Sequence, residues 1–469
     1  MSISSAEQLD HLSREELLSL VRSLLIITER QQKRIEQLEA EIEKLRKPPA
    51  NSKNSSQPPS KDQKSNAPKK KKRKKHGPPF GHKRHTRPLV DNPDKVIEAK
   101  VDQCRSCQAD LSQIAPEKIV RRQLTEIPII KPLVIETQQH KTRCPHCRTA
   151  NSGALPAGLE ADRFFGPQLE ATVAYYKQRH HLSYERIVEV LGDRYGVAIS
   201  QGAIAQILER AGKRAASEAE SIRDQVISSS VIRSDETSAR VMGRNWWQWV
   251  FVGANAVYHT IVPTRSAAEI STVMGEKCAE FWVCDCYGSQ LKAPAKIIQL
   301  CLQHLLRDLN RILDAAPTYP WARAMQSLFR SAIHLHNRFT PEGSKIKIET
   351  YVNRVMRLEK QLDELLNQTV RNDAAIKLQR RLIKHREKLF VFLHYPGIPP
   401  TNNESEQALR TSVIYRKVTN GFRSEWGART YASLQSVIAT VQRRGQPVFQ
   451  ALVELMGSSV LHHFEASSP

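Results

Sequence analysis

The chain has 469 residues, of which 40% are hydrophobic, and its formal net charge is +23. A chain of this length is expected to form about three domains rather than one core, and its basic character indicates a polyanionic partner. Because it has neither an apolar run as long as a membrane span nor a signal-peptide pattern, we expect a protein that is not exported and has no membrane partner.

Eight cysteines are unevenly distributed along the chain. Four of them form two Cys-x-x-Cys pairs, and the other four are scattered around Asp285. This distribution favours a reducing compartment over a disulfide framework. Together with the basic charge, it predicts a cytoplasmic protein that associates with the nucleoid of a prokaryote.

Residues 9–47 carry a seven-residue repeat of apolar side chains with charged residues between them. The repeat predicts a dimerising coiled coil, because its apolar positions line one seam of a helix. The alternative is a single amphipathic helix packed on the protein itself, but Pro48 and a polar segment follow and leave nothing nearby to pack on. Gln31 and Thr28 interrupt the repeat and are expected to fix its register. The two rows of the repeat contain Leu17, Leu24, Leu38 and Leu45, and Val21, Ile35 and Ile42.

Residues 48–95 form a predicted disordered and basic linker, which is rich in Ser, Asn, Pro and Lys up to residue 88. Within it, residues 69–87 contain ten Lys or Arg and no acidic residue. A solvated linker, or a nuclear address in a eukaryote, is the alternative. Because nearly half of the net charge lies there, we predict an arm that grips nucleic-acid phosphates without sequence preference. Its candidate DNA-binding residues are Lys69, Lys70, Lys71, Lys72, Arg73, Lys74, Lys75, Lys83 and Arg84.

Residues 96–155 contain the two Cys-x-x-Cys pairs. Four thiolates presented in this way predict a closed tetrahedral zinc site, although the gap between the pairs exceeds the usual ribbon spacing. His140 or His146 can replace one cysteine as a ligand, and residues 126–136 have the composition of strands that would bring the pairs together. A redox role is disfavoured because no thioredoxin-like pattern surrounds either pair. The four candidate zinc ligands are Cys104, Cys107, Cys144 and Cys147.

Residues 160–217 are predicted to be a helical DNA-binding domain. Ser200 is a predicted N-cap that follows a turn at Gly196, and a helix, a short glycine-containing turn and a capped helix make the helix-turn-helix pattern. Gln201 and Gln206 would then face a major groove. An ordinary small helical bundle is the alternative. The predicted helices span 169–177, 183–191 and 202–210.

Residues 226–315 alternate strand and helix patterns and are predicted to form the first part of a ribonuclease-H-like core. Asp235 is expected at the end of the first strand, and Asp285 follows the fourth. Each acid alone is weak evidence, because Asp is also ordinary turn chemistry. The chain is therefore predicted to be multidomain, of mixed α+β and α/β class. Its remaining parts are a helical insertion over 316–398, the second part of the core over 399–442 and a C-terminal helical element over 443–469.

Two later segments contain further candidates. His304 and Arg307 are three residues apart and share a helix face, where they can contact phosphate, orient a metal site or simply pack. Glu406 begins another helix and has a structural alternative. With Asn403 as N-cap, Glu406 would hold the capping-box position and pair with Arg410.

The order of these parts resembles the transposases of the insertion-sequence-66 family across nearly the whole chain. The catalytic motifs of that family are matched by Asp235-Glu-Thr, Asp285-Cys-Tyr and Asn402-Asn-x-x-Glu406-x-Ala-Leu-Arg410, and its Cys-x-x-His-x-Arg-Arg element by Cys301-x-x-His304-x-x-Arg307. The N-terminal matches are the coiled coil, the linker motif Asn54-Ser-Ser-x-Pro-Pro-Ser60, the basic Gly81-His-Lys and Thr86-Arg stretches, and the two cysteine pairs. The departures are Thr401 for an Asp, Gln407 for an Arg and Leu306 for an Arg.

The resemblance implies a DDE transposase whose triad is Asp235, Asp285 and Glu406. It implies two Mg²⁺ or Mn²⁺ ions per active site, because three converging carboxylates repel one another without cations. We expect Asp285 to bridge both ions and the other two carboxylates to complete one site each. Glu236 and Glu404 are not assigned as ligands, since strand alternation turns the first away and the motif offset excludes the second.

The implied partners are double-stranded DNA, as terminal inverted repeats and as target, a second copy of the chain through the coiled coil, and accessory proteins of the element. Structural Zn²⁺ is the second implied cofactor. A rival interpretation is a catalytically silent DNA-binding regulator derived from a transposase. A third is an enzyme that cuts RNA–DNA hybrids, which would leave the DNA-reading modules without a role.

Overall fold

The computed structural model describes residues 13–46, 87–155, 163–339 and 346–457. The chain divides into two compact units, which are taken separately here. One unit consists of residues 64–135 and 190–198, and the other contains the rest of the chain. The predicted basic arm, from Lys69 to Lys75 together with Lys83 and Arg84, lies outside the described residues.

The helices and strands of the described residues agree with the predicted pattern in most places. The helices are α1 Arg14–Arg46, α2 Pro167–Gln178, α3 Tyr184–Tyr195, α4 Gln201–Ile227, α5 Ala267–Met274, α6 Leu302–Ala315, α7 Pro320–Arg338, α8 Ile348–Leu366, α9 Asp373–Lys384, α10 Val391–His394, α11 Asn403–Thr419, α12 Glu425–Arg443 and α13 Val448–Leu455. The strands are β1 Lys141–Arg143, β2 Ala150–Ser152, β3 Val231–Val241, β4 Arg244–Val252, β5 Val257–Val262, β6 Ala279–Cys284 and β7 Ala295–Leu300.

Five strands form one mixed sheet in the order β5-β4-β3-β6-β7. The strands β3, β4 and β5 pair antiparallel, whereas β6 pairs parallel to β3 and β7 parallel to β6. A tight turn joins β3 to β4, and both of its residues, Met242 and Gly243, have positive φ (49° and 75°). Two successive positive φ angles are typical of the hairpin turns that match strand twist.

The expectation that Asp235 ends its strand is wrong. The strand β3 has 11 residues and continues to Val241, because its second half pairs with β4 in an unbroken antiparallel register. What ends near Asp235 is the parallel pairing with β6, whose last pair is Arg233 with Val283. Asp285, as expected, follows the end of β6 at Cys284.

The structure differs from the sequence-based prediction at three further elements. Residues 126–136 form no strand in this described segment, and two prolines among them, Pro128 and Pro132, remove the backbone donors that a strand ladder needs. The strand β7 was not predicted, since Lys296 and Gln299 interrupt its short apolar pattern. The helix α4 starts at its predicted cap but runs on to Ile227, well beyond residue 210.

Helices cover the sheet and fix its core. The helix α11 packs on β3 and β4, and α12 packs on β5 and α4. Ala and aromatic side chains fill the contact, where Tyr415 of α11 and Tyr431 of α12 lie beside Val241 and Ile261 of the sheet. The helices α7, α8 and α9 form the region predicted as an insertion, and α6 packs on α7.

Helix α1 covers 33 residues of the predicted coiled coil. The apolar side chains Val21, Leu24 and Ile35 of its repeat are about half exposed. Among the residues that the structure describes, no helix has both the length and the apolar character that crossing a membrane requires.

Candidate functional site

Three elements of one unit carry the predicted triad. Asp235 lies inside β3, Asp285 directly follows β6, and Glu406 lies in the first turns of α11. Burial raises the pKa of Asp235 well above its usual value, and the charges of Glu236, Asp285 and Glu406 raise that pKa further. The carboxylates are therefore close enough for their charges to act on one another.

Two backbone donors are fixed on the two aspartates. The N–H of Glu236 donates to Asp235 Oδ1 at 2.9 Å, and the N–H of Tyr287 donates to Asp285 Oδ1 at 2.9 Å. The second contact is the turn interaction expected of an Asp that ends a strand. It also holds the Asp285 carboxylate in one orientation at the edge of the sheet.

The side chain of Glu406 is held by residues of α6 rather than by residues of its own helix, α11. Arg307 donates through both terminal nitrogens to the two oxygens of Glu406, at 3.2 and 2.9 Å. This planar two-point pairing is the geometry that guanidinium and carboxylate favour. His304 Nε2 lies 3.6 Å from Glu406 Oε1. The two residues that the sequence placed on one helix face thus both reach the same carboxylate.

The capping-box alternative for Glu406 is wrong. The N-cap of α11 is Asn402, not Asn403, and its side chain caps no backbone N–H. Because the N-cap is one residue earlier than expected, Glu406 is at position N4 of the helix. A capping box needs its carboxylate at position N3, where it can accept the backbone N–H of the N-cap residue. Arg410 is exposed, and in the described structure the cation paired with Glu406 is Arg307.

The surroundings of His304 are compatible with both of its predicted roles, the support of a metal site and packing. Burial is the main cause that lowers its pKa, with Arg307 acting in the same direction and Glu406 against it. The imidazole is therefore favoured in its neutral form at neutral pH. Its Nδ1 is buried and has no hydrogen-bond partner. A potential ligand atom is thus left unused beside Glu406.

Cys301, His304 and Glu406 form a compact group in which one potential ligand atom of each residue lies within 4.8 Å of the others. Burial raises the pKa of the Cys301 thiol to about 12. Its sulfur already accepts the backbone N–H of Asn402 at 3.1 Å. Cys301 therefore serves here as a neutral, buried contact between α6 and the start of α11.

Asn402 is a site residue whose role the sequence did not reveal. Its side chain is fully buried, and its Nδ2 donates to the backbone oxygen of Ser234 at 2.6 Å. It therefore connects α11, which carries Glu406, to β3 one residue before Asp235. Its Oδ1 is buried without a partner. The available signal was its place in the Asn402-Asn403 motif.

Glu236 lies in a separate network on the other face of β3. Arg265 donates to Glu236 Oε1 from Nε at 2.8 Å, and Gln290 donates to Glu236 Oε2. Gln290 in turn accepts from Ser234, whose hydroxyl oxygen accepts the indole N–H of Trp282 at 2.8 Å. This network connects β3, β6 and the segment after Asp285. It was not predicted, because its members are far apart in sequence.

Glu404 is committed to another face of α11. It pairs with Arg443 of α12 at 2.8 Å and lies 3.7 Å from Arg233 of β3. Glu404 and Glu406 are two residues apart on one helix, so their side chains point in different directions. Of these two glutamates, Glu406 is the one whose charge contributes to the raised pKa of Asp235.

The two cysteine pairs belong to different compact units. In the first, the N–H of Cys104 donates to Ala109 O at 2.9 Å and the N–H of Gln108 to Cys104 O at 3.0 Å. The second repeats this pattern with Cys144, Thr149 and Arg148. Gln108 and Arg148, each directly after the second cysteine, have φ of 62° and 58°. Both pairs therefore form the same kind of turn.

The surroundings of two of the four thiols, one in each turn, favour the thiolate form. Hydrogen bonds with Thr149 are the main cause that lowers the pKa of Cys147 to about 7. A backbone hydrogen bond within its own turn lowers the pKa of Cys104. A thiolate is the form that binds a metal, so each turn has suitable donors for half of a zinc site.

The predicted DNA-reading helix begins as expected. Ser200 Oγ accepts the N–H of Ala203 at 3.1 Å and caps α4. Gln201 and Gln206 are exposed in the first turns of α4, whereas the nearby Ile204 and Ile207 are buried. The two glutamines are thus available to a partner.

The carboxylate cluster fits oxygen-preferring cations. Among the described residues, ion pairs link Glu236 to Arg265 and Glu406 to Arg307, and none links Asp235 or Asp285 to a cation. Each oxygen of Glu406 also retains a second lone pair beside Arg307. Mg²⁺ and Mn²⁺ favour such oxygen donors together with water.

Comparisons with known proteins match two parts of the chain. The family model described as "Transposase IS66 family" matches residues 163–430, which include all three carboxylates. A model described as a family of unknown function, DUF6444, matches residues 6–88, which include the predicted coiled coil and basic arm. No curated protein matches the chain.

A double-mutant cycle tests which arginine supports Glu406. Arg307→Ala leaves a half-buried carboxylate without its partner and should destabilise the protein by about 1–3 kcal/mol. Combined with Glu406→Gln, it should show a coupling of roughly 0.5–3 kcal/mol, measured by urea unfolding and tryptophan fluorescence. The matched pair Arg410→Ala and Glu406→Gln should be additive. Equal coupling of both arginines to Glu406 would contradict this account.

Proposed function

Because the chain belongs to the IS66 transposase family, we propose that it is a DDE transposase that binds terminal inverted repeats and catalyses metal-dependent cleavage and strand transfer of DNA. The observation that carries this proposal is the position of Asp235. Its partly buried carboxyl lies within electrostatic reach of three other carboxylates and forms no ion pair in the part of the chain that the structure describes. Such an arrangement favours bound cations.

Asp235, Asp285 and Glu406 would hold the metal, and each has a defined support. Bound Mg²⁺ or Mn²⁺ supplies an activated nucleophile for in-line attack on a phosphodiester and stabilises the leaving oxygen. Arg307 keeps the Glu406 carboxylate oriented by two-point hydrogen bonding. Neutral His304 adds a donor or acceptor at the same carboxylate without adding charge.

The sheet supports a ribonuclease-H-like core. Three antiparallel strands are followed by two parallel ones, in the order β5-β4-β3-β6-β7. Asp235 lies on the central strand and Asp285 at the end of its parallel neighbour. The helix α11, which packs on β3 and β4, then brings Glu406 to them. This layout needs contributions from chain segments that are far apart in sequence.

The two cysteine turns support a structural zinc site made of Cys104, Cys107, Cys144 and Cys147. Their shared hydrogen-bond pattern presents two sulfurs per turn, and four such thiolates satisfy the tetrahedral preference of Zn²⁺.

Metal analysis of the purified protein tests this assignment. The unmodified chain should contain about one Zn²⁺ per molecule, since four thiolates close a single tetrahedral site. Cys144→Ser should lose most of it. Cys278→Ser is the matched control, because Cys278 is an exposed free cysteine outside the pairs. Zinc retained by Cys144→Ser and Cys104→Ser alike would exclude the site.

DNA recognition is divided among three modules in this proposal. The exposed Gln201 and Gln206 support a reading role for α4, and the basic arm adds grip that does not depend on sequence. The half-exposed apolar row of α1 supports pairing with a second copy. One assembly would then hold both ends of the element.

A set of variants separates these modules on a terminal-repeat duplex. Deletion of residues 1–47 should abolish pairing of two ends while single-end binding persists. Gln201→Ala with Gln206→Ala should reduce the preference for the repeat over random DNA. Gel-shift and sedimentation measurements report both effects. Paired ends formed by the truncated chain would overturn the role of the coiled coil.

Neighbouring glutamates provide the sharpest test of the catalytic assignment. Glu406→Gln should lower Mg²⁺-dependent cleavage and strand transfer by at least about 100-fold, since even the loss of a residue that only supports a metal ligand typically costs 10–100-fold. Glu404→Gln, two residues away and paired with Arg443, should retain activity. Asp285→Asn should behave like Glu406→Gln.

The same assay distinguishes the rival functions. Binding of terminal repeats by the unmodified chain without any cleavage would favour a silent DNA-binding regulator. Cleavage confined to RNA–DNA hybrids would favour a ribonuclease-H-type enzyme. Equal activity of the Glu404 and Glu406 variants would show that the third carboxylate is misassigned.

A further inference from the structure

An open groove of about 570 Å³ lies between α7 and α8 in the helical insertion. Among the described residues, its lining contains six exposed basic side chains and no carboxylate. Neutral donors such as Gln326 and Ser327 lie among them. The basic residues are Arg323, Arg330, His334, Arg338, Arg354 and Arg357.

The basic residues of α7 form one stripe along the helix. Arg323, Arg330, His334 and Arg338 are seven, four and four residues apart, which keeps them on one face. The helix contains no Asp or Glu along its entire length. Its opposite face is apolar and buried, with Met325 and Phe329 fully covered. The solvent face of α7 is therefore uniformly basic rather than mixed.

Two of the four acidic residues of α8 have partners outside this stripe. Glu359 pairs with His394 at 2.9 Å, and Asp363 pairs with Arg386 at 2.6 Å. An ordinary solvated helix face carries both signs of charge interspersed. In the part of the chain that the structure describes, Arg330, Arg354 and Arg357 line this groove together, and none of the three forms an ion pair. Such a concentration of one sign is costly by itself and is offset when an anion binds.

The dimensions of the stripe fit a nucleic-acid backbone. From Arg323 to Arg338 the helix rises about 22 Å at 1.5 Å per residue. Phosphates of one DNA strand follow each other at about 3.4 Å along the axis, so the stripe spans about six of them. Arginine also binds phosphate at two points, which favours it over lysine for this contact.

We propose that the groove between α7 and α8 is a DNA-binding surface that grips the phosphate backbone of duplex DNA. It lies outside the basic arm, the helix α4 and the carboxylate site. Its contacts are to phosphate and carry no sequence information. The choice of DNA among polyanions rests on the proposed function. The groove gives the helical insertion a role in substrate binding.

Equilibrium binding of a random 40-base-pair duplex to the full chain, in EDTA to prevent cleavage, tests this surface. The variant Arg330→Gln, Arg354→Gln, Arg357→Gln should bind at least about 10-fold more weakly at 0.15 M salt. The slope of log K against log salt should fall by about 2 to 3, since each lost phosphate contact contributes about 0.9.

The control has the same change of charge on the same insertion. Lys360→Gln, Lys377→Gln, Arg380→Gln removes three exposed basic groups that do not line the groove. It should change the slope by less than about 1. Equal losses in the two triple variants would reduce the effect to net charge and overturn the proposal, as would no loss in the groove variant.

Further measurements identify the partner and separate binding from catalysis. The first uses a duplex RNA of the same length. If the groove variant loses affinity for this RNA but not for DNA, the assignment to DNA is overturned. Thermal unfolding of both triple variants should match that of the unmodified chain, because the substituted side chains are exposed. A chain that grips DNA through the groove but cleaves none would sustain this inference and overturn the proposed nuclease activity.

Discussion

Repulsion among clustered carboxylates is the constraint on which this structure depends. Asp235 lies among Glu236, Asp285 and Glu406, and both burial and their charges raise its pKa. The fold compensates two of the four carboxylates with arginines, Glu236 with Arg265 and Glu406 with Arg307. Asp235 and Asp285 form no ion pair in the described part of the chain, so the proposed cations would compensate them. Arg307 orients a carboxylate of the proposed triad, whereas Arg265 holds a carboxylate outside it.

Two networks on opposite faces of β3 keep this arrangement in place. On one face, Arg265 lies 3.6 Å from the ring centre of Tyr287 while it binds Glu236, and so it joins the segment after Asp285 to the strand that carries Asp235. On the other, Asn402 joins α11 to the backbone of Ser234. The carboxylate site is thus supported by neighbours that bind no substrate, as metal sites generally require.

The chain combines this acidic centre with a strongly basic remainder. A net charge of +23 attracts DNA, while the carboxylates repel phosphate unless cations are bound. The proposed DNA-binding groove between α7 and α8 would hold the substrate independently of the site where chemistry is proposed. The separation also explains why binding and cleavage can be tested in different variants of the same protein.

The sequence by itself determined most of the order of elements, the turn that follows β6 and the cap of α4, because hydrophobic periodicity and short motifs are local properties. It misjudged the end of β3 and missed β7, because strand pairing depends on distant partners. It also gave Glu406 a local partner, Arg410. Only the tertiary structure identified Arg307 as the partner of Glu406, because packing brings α6 and α11 together although the two residues are 99 positions apart in sequence. Tertiary packing likewise joins Glu236 to Gln290. It also creates the basic groove, because residues of both α7 and α8 line it.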